Sequence, residues 1–250
     1  MNDLSGQTIG PYRLISPLGE GGLTRTYQAF QPGQERLVVV KVLSSYLSRP
    51  ENFGPHFQRQ TGLLAHLNHP NLLPLHDFGF DDGLAYLVFP LIEGSTLAEV
   101  IPTGVPLEQT GNLLGQVASV LDYLHQQNLL HRDLKPSHIL IDDGQQPWLS
   151  GLALAQIVGN DSHLAVGGFG IKFGTPAYLS PEQIAGQPLD AHSDIYALGI
   201  VLFELVTGRV PFRAETPLAV ALKHLVAPLP LPRSINPTIP AGVERVILKA

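Results

Sequence analysis

The chain has 250 residues, of which 44% are hydrophobic and 14% charged, with 15 basic and 21 acidic side chains, ten histidines and no cysteine. That length buries a substantial core, in one large domain or two lobes. The net charge of −6 argues against nucleic acid or an anionic membrane as partner, and the lack of cysteine excludes disulfides and thiolate metal sites.

A cysteine-free chain fits a reducing cytoplasm. Soluble domains carry roughly 25% charged residues, so a surface this poor in charge is expected to be covered in part by a partner or by further sequence. Met1 to Gly10 has no basic region followed by an apolar run, so no secretory signal is expected. The longest apolar run, Ile195 to Val206, is interrupted by Glu204. It is too short for a ~20-residue span and suits a buried helix, so no membrane contact is expected from this segment. No repeat at solenoid periods is visible.

In chain order, Tyr12 to Leu43 reads as short strands punctuated by Gly19, Gly21 and Gly22 and by Gln31-Pro32-Gly33. Val38-Val39-Val40 predicts a buried strand leading to Lys41. Phe53 to Leu67 is helical in pattern, with Phe57, Leu63, Leu64 and Leu67 on one stripe. Leu72 to Leu75 and Ala85 to Leu91 predict strands, with a turn at Asp81-Asp82-Gly83. After Glu93-Gly94 the pattern turns helical. Leu107 to Asn128 is amphipathic, with Leu113, Leu114, Val117, Val120, Leu121 and Leu124 on one face. Asp194 to Thr207 is apolar nearly all round, Pro217 to Val226 is a further helix, and Ala241 to Ala250 begins another.

Several short motifs are individually bland. Gly19-Glu20-Gly21-Gly22 alone is a flexible turn, Lys41 a solvated strand lysine, and His131-Arg132-Asp133 a loop with a local ion pair. Gly174-Thr175-Pro176 alone is a turn and Ser180-Pro181-Glu182 a helix start. Their order is informative. Glycine turn, strand lysine, helix, apolar segment, His131-Arg132-Asp133-Leu134-Lys135-Pro136-Ser137-His138, Gly174-Thr175-Pro176-x-Tyr178-x-x-Pro181-Glu182 and Asp194-x-x-x-Leu198-Gly199 follow one another.

In that order the chain resembles the eukaryotic-type protein serine/threonine kinases, the bacterial members above all. The resemblance implies an α+β, bilobal protein-kinase-like fold: a β-rich N-lobe with one main helix and a helical C-lobe, with nucleotide between them. It divides the chain into an N-terminal extension (1–11), an N-lobe with hinge (12–92) and a C-lobe (93–250). The family pairs the glutamate at the position of Glu182 with an arginine from its last helices, which lie beyond Ala250, so the C-lobe is expected to be truncated at its end.

The family's roles carry over unevenly. Lys41 stands where the strand lysine contacts the α- and β-phosphates, and Asp133 where the base accepts the substrate's hydroxyl proton. Lys135 and Thr175 match the pair beside that aspartate. Gly19 and Gly21 match the phosphate loop, Phe89, Pro90, Leu91 and Ile92 the adenine-bordering hinge with Phe89 as gatekeeper, and Leu140 the apolar floor. The hinge groups needed are backbone atoms, which Pro90 (carbonyl) and Ile92 retain. Leu64, Leu75, His131 and Leu152 fill the hydrophobic spine, and Asp194 anchors its base.

The departures fall on the chemistry. The glutamate expected to pair with Lys41 is Gln60, the third loop glycine is Thr24, the following valine is Thr26, and the alanine before the lysine is Val39. The family holds Mg²⁺ with a loop asparagine and the aspartate of D-F-G; here those positions are His138 and Gly151 in Leu149-Ser150-Gly151-Leu152-Ala153-Leu154-Ala155. Mg²⁺ wants oxygen ligands in octahedral geometry, so no metal is assigned. A softer metal at His138 lacks a second ligand, and the plain reading is a hydrogen-bonded loop histidine. Ser162 is the only hydroxyl between Gln156 and Phe173. The resemblance therefore implies a degenerate member. The expected function is a pseudokinase acting as a regulatory or binding module for protein partners, with Asp133 and Lys135 vestigial. The alternatives are an active kinase with an atypical metal site and a sensor that binds ATP without Mg²⁺.

Overall fold

A computed structural model describes residues 3–21, 23–44, 53–158 and 175–250. The chain divides into two compact units, one of Met1–Asn68, Leu72–Glu93 and Gln156–Val158, the other of His69–Asn71, Gly94–Ala155 and Gly159–Ala250.

The first unit is built on six antiparallel strands: β1 (Thr8–Ile9), β2 (Tyr12–Glu20), β3 (Thr24–Gln31), β4 (Arg36–Leu43), β5 (Asp77–Asp81) and β6 (Leu84–Pro90), ordered β1-β2-β3-β4-β6-β5. Residues expected as an N-terminal extension thus supply β1, with Ile9 paired to Tyr12. The strand period of two sorts β4 by face. Val38, Val40 and Val42 are wholly buried in a cluster with Tyr12, Leu14, Tyr27, Ala29, Tyr86 and Val88, while Val39 and Lys41 share the half-buried opposite face. The run Val38-Val39-Val40 is therefore not uniformly buried. The β5–β6 hairpin turns at Asp82 (φ 45°) and Gly83 (φ 76°), the left-handed pair that a two-residue hairpin requires.

Helix α1 (Phe53–Leu64) buries Phe53, Phe57, Thr61 and Leu64. It stops three residues before the expected Leu67, and Leu63, expected on the apolar stripe, is 55% exposed. The stripe runs instead through the aromatic residues, and Phe57 packs against Phe53, Phe78 and Phe80 with ring centroids 4.8–6.0 Å apart. Leu72 to Leu75 does not form the expected strand beyond a single bridge at Leu72. These leucines are buried as an irregular segment, and the strand is the less apolar Asp77–Asp81, selected by pairing with β6.

The second unit holds a three-stranded sheet, β7 (Gly94–Thr96), β8 (Ile139–Asp142) and β9 (Pro147–Leu149). Its helices are α2 (Leu97–Val100), α3 (Leu107–Gln126), α4 (Leu152–Val158, whose last turn belongs to the first unit), α5 (Pro181–Ala185), α6 (Ala191–Thr207), α7 (Pro217–Val226), α8 (Pro232–Ile235) and α9 (Ala241–Lys249). All six residues of the expected α3 stripe are buried. Helix α6 starts three residues earlier than its apolar run, because the Asp190 side chain caps it by accepting from His192 N–H at 2.8 Å. Helix α4 begins within the stretch that resembles D-F-G-L-A, where Leu-Ala-Leu-Ala-Gln is rich in strong helix formers.

Candidate functional site

The His131–Lys135 loop lies between α3 and β8 and is fixed from below by one carboxylate. Asp194, on the first turn of α6 and 1% exposed, accepts from the backbone N–H of His131 and of Arg132 and from Nε2–H of His125, each at 2.8 Å. This bonding holds Arg132 in the left-handed region, at φ 66°, a conformation unusual for a side chain of that bulk. His131 is wholly buried and donates Nε2–H to the carbonyl of Ser150 at 2.8 Å. Burial pushes its pKa down, so the ring is held neutral. The expected anchoring of His131 by Asp194 is direct.

Within the loop, Lys135 Nζ bonds both carboxylate oxygens of Asp133 at 3.0 Å. The two residues expected to act together are adjacent, and both are partly buried. Thr175, expected to join them, is exposed at the start of a short 3₁₀ turn over Pro176–Tyr178. Glu182 accepts a hydrogen bond from the Ser193 hydroxyl. Gln183 donates to the carbonyl of Arg132 at 2.7 Å; neither this contact nor that of His125 carried any signal in the sequence.

The two positions where the family holds Mg²⁺ meet each other. His138 donates Nδ1–H to the Asp133 carbonyl at 2.7 Å, and the same nitrogen lies 3.5 Å from Asp133 Oδ2. The strand pair Ile139–Leu149 brings Ser150 alongside, where its N–H and hydroxyl donate to the His138 carbonyl at 2.7 and 3.1 Å. Gly151 follows with φ 97°. A Cβ built on it would lie 2.8 Å from Cγ and Cε1 of His138 and nearer still to Nδ1. An imidazole and a bare glycine do not make an oxygen-rich Mg²⁺ site, and no cluster of three metal-ligating side chains exists among the described residues. The residues present do not fit the metal.

In the first unit Lys41 sits in β4, opposite Leu87 of β6 and Thr26 of β3, with its ammonium 5.4 Å from the ring centroid of Phe89. Val39 pairs directly with Phe89. Phe89 is buried, whereas Pro90, Leu91 and Ile92 are half-buried. Gln60 is half-buried on α1, and Leu64 and Leu75 are buried in this unit. Gly19 pairs with Thr26, and Gly21 exchanges backbone bonds with Thr24 at 2.8 and 3.3 Å. The turn is clasped by Arg25 and Glu20 at 2.7 Å and pinned by Leu23, which is 6% exposed and passed unnoticed in the sequence. Nothing lies within 4 Å of a Cβ at Gly19, so the unit's own packing leaves room there. In the second unit Leu152 is buried and Leu140 half-buried, Leu140 lying on the opposite face of β8 from Ile139 and Ile141. Gly22, Ser162 and Gly174 lie outside the described residues.

Comparison with known proteins gives a consistent result. The family described as Protein kinase domain matches residues 12–235. The serine/threonine-protein kinase PrkC of Bacillus subtilis is 37% identical over 243 residues, covering 96% of this chain and 37% of the relative. The probable serine/threonine-protein kinase PknB of Lactococcus lactis is 34% identical over 242 residues, covering 96% of this chain and 38% of the relative. The chain thus spans little more than a third of the length of these relatives. The crystal structure of the Mycobacterium tuberculosis PknI kinase domain superposes with a TM-score of 0.74 at 25% identity, covering 98% of this chain and 91% of that one.

Proposed function

Because the chain belongs to the protein kinase domain family, we propose that it is a pseudokinase: a protein-kinase fold serving as a regulatory or binding module, with phosphotransfer weak or absent. One observation carries this reading. The ring of His138 stands where a side chain at Gly151 would have to be, so both positions that would hold Mg²⁺ are closed to it. Kinase chemistry is mostly positioning and charge neutralisation at the transferring phosphate, and these residues leave that charge without its usual counter-ion.

The residues that remain suit binding. Lys41 and the backbone groups of Pro90 and Ile92 would hold a nucleotide in its metal-free form, with Phe89 bordering the base. Asp133, paired with Lys135, would face a hydroxyl with no activated phosphate to accept it. The partner class is protein, since the relatives are serine/threonine-protein kinases by name. No described helix is long and apolar enough to cross a membrane. The same Asp133–Lys135 pair, together with the 37% identity to PrkC, favours the second reading, an active kinase with an unusual metal arrangement.

Radiolabelled ATP separates them. The pseudokinase reading expects no transfer to the chain itself or to a generic basic protein in Mg²⁺ or Mn²⁺. Transfer that disappears in Asp133→Asn would establish the active reading instead. A rise in melting temperature with ATP in EDTA, lost in Lys41→Ala, is the expected mark of metal-free nucleotide binding.

A further inference from the structure

We infer that His138 is a positioning residue that takes the metal's place: its imidazole fills the room of the side chain missing at Gly151 and braces the Asp133 carbonyl, while its backbone carbonyl is held by Ser150. The inference rests on the reading of this site as metal-free, and its test does not depend on phosphotransfer.

Four hydrogen bonds converge on this one residue. Its backbone N–H donates to the carbonyl of Lys135 at 2.9 Å, and Nδ1–H donates to the carbonyl of Asp133 at 2.7 Å. Its own carbonyl receives the N–H and hydroxyl of Ser150. Two of these bonds reach back into the loop that carries Asp133, and two reach across the β8–β9 hairpin to the residue before Gly151. In the family the side chains at these two positions would hold the cation; here the imidazole supplies a donor to the Asp133 carbonyl instead.

Steric fit makes the exchange a coupled one. At φ 97° any side chain at position 151 is strained, and its first carbon would in addition collide with the His138 ring. Alanine has no atom at the Cγ and Nδ1 positions that crowd that point, whereas asparagine would keep both. The backbone strain is common to both backgrounds, whereas the collision exists only while the imidazole is present. Restoring aspartate at 151 is therefore tolerated only after His138 has gone, and the two positions form one unit.

A double-mutant cycle on thermal stability isolates this term. Four proteins are compared: the native chain, Gly151→Asp, His138→Ala and the pair. The loss of melting temperature caused by Gly151→Asp is expected to be larger by about 5 °C with His138 present than with His138→Ala. Gly151→Ala, which adds only the colliding carbon, repeats the cycle should the aspartate variant fail to fold. Additive losses would overturn the interlock. So would failure of both position-151 variants to fold in either background, because the strain would then lie in the backbone alone. Mn²⁺ without nucleotide gives an independent readout. It is expected to leave the melting temperature of Gly151→Asp alone unchanged, and stabilisation of that single variant by Mn²⁺ would overturn the proposal. Phosphotransfer by the native chain would sink the pseudokinase reading while leaving the cycle intact; an additive cycle would do the reverse.

Discussion

His131 and His138 sit on one loop with ring centroids 6.2 Å apart, and they serve opposite ends of it. His131 belongs to the retained part. It is wholly buried, its backbone is held by Asp194, and its ring reaches the carbonyl of Ser150. His138 belongs to the altered part, half-buried against Asp133 and Gly151. Both imidazoles thus end on the same two-residue turn, one at its carbonyl and the other over its glycine. The difference teaches that the loop's architecture and its metal chemistry are separable. Three donors on one buried carboxylate hold the backbone of this loop, so an intact His-Arg-Asp stretch reports an assembled fold before it reports activity.

The sharpest way to break this comparison is to remove the anchor. Asp194→Ala strands the N–H groups of His131 and Arg132 and that of the His125 ring, and an uncompensated buried network of this kind costs about 3–5 kcal/mol. Urea unfolding of the variant should show that loss. A loss below about 1 kcal/mol would mean that the loop is held from elsewhere.

Acid tests the neutral, buried imidazoles next. Burial lowers the pKa of His131, and lowers that of His224 from 6.5 to about 4. Between pH 6.5 and about 4 the unfolded chain takes up the His224 proton while the folded chain does not, and the lowered pKa of His131 acts in the same direction. Stability is therefore complete above pH 6.5 and falls as the pH drops, by about 3 kcal/mol from His224 alone. His224→Phe keeps the ring contact with Phe212 and should flatten that share of the urea-midpoint profile while leaving the share of His131. An unchanged slope would contradict the assignment.

The smallest effect is expected at the ion pair. Lys135 and Asp133 are 14% and 25% exposed in their side chains, so removing the charged hydrogen-bond donor in Lys135→Ala should lower stability by about 1–2 kcal/mol. A larger loss would make this pair part of the architecture alongside Asp194.

Elements whose pattern and neighbours agree were legible from residue order. The α3 stripe is buried residue for residue, and the Asp82-Gly83 turn and the Lys135–Asp133 pair are local arrangements that their own sequence specifies. Elsewhere local preference lost to tertiary context. Leu72 to Leu75 has strand propensity, yet the neighbour of β6 is Asp77–Asp81. Leu63 fits the helical period of α1, but Phe53 and Phe57 are the side chains that find aromatic partners. At the site, the loss of both metal-binding side chains could be read from His138 and Gly151 as letters, and so could the family to which the chain belongs.

Sequence alone determined which groups this protein brings to a protein-kinase fold: a strand lysine, an aspartate with its lysine, and a histidine and a glycine at the two positions where the family holds Mg²⁺. Only the tertiary structure decided what stands in the vacated room. The pairing of Ile139 with Leu149 brings His138 against Gly151, and a glycine with a left-handed backbone leaves room for the imidazole. That outcome depends on a strand register and a backbone dihedral, neither of which either residue carries by itself.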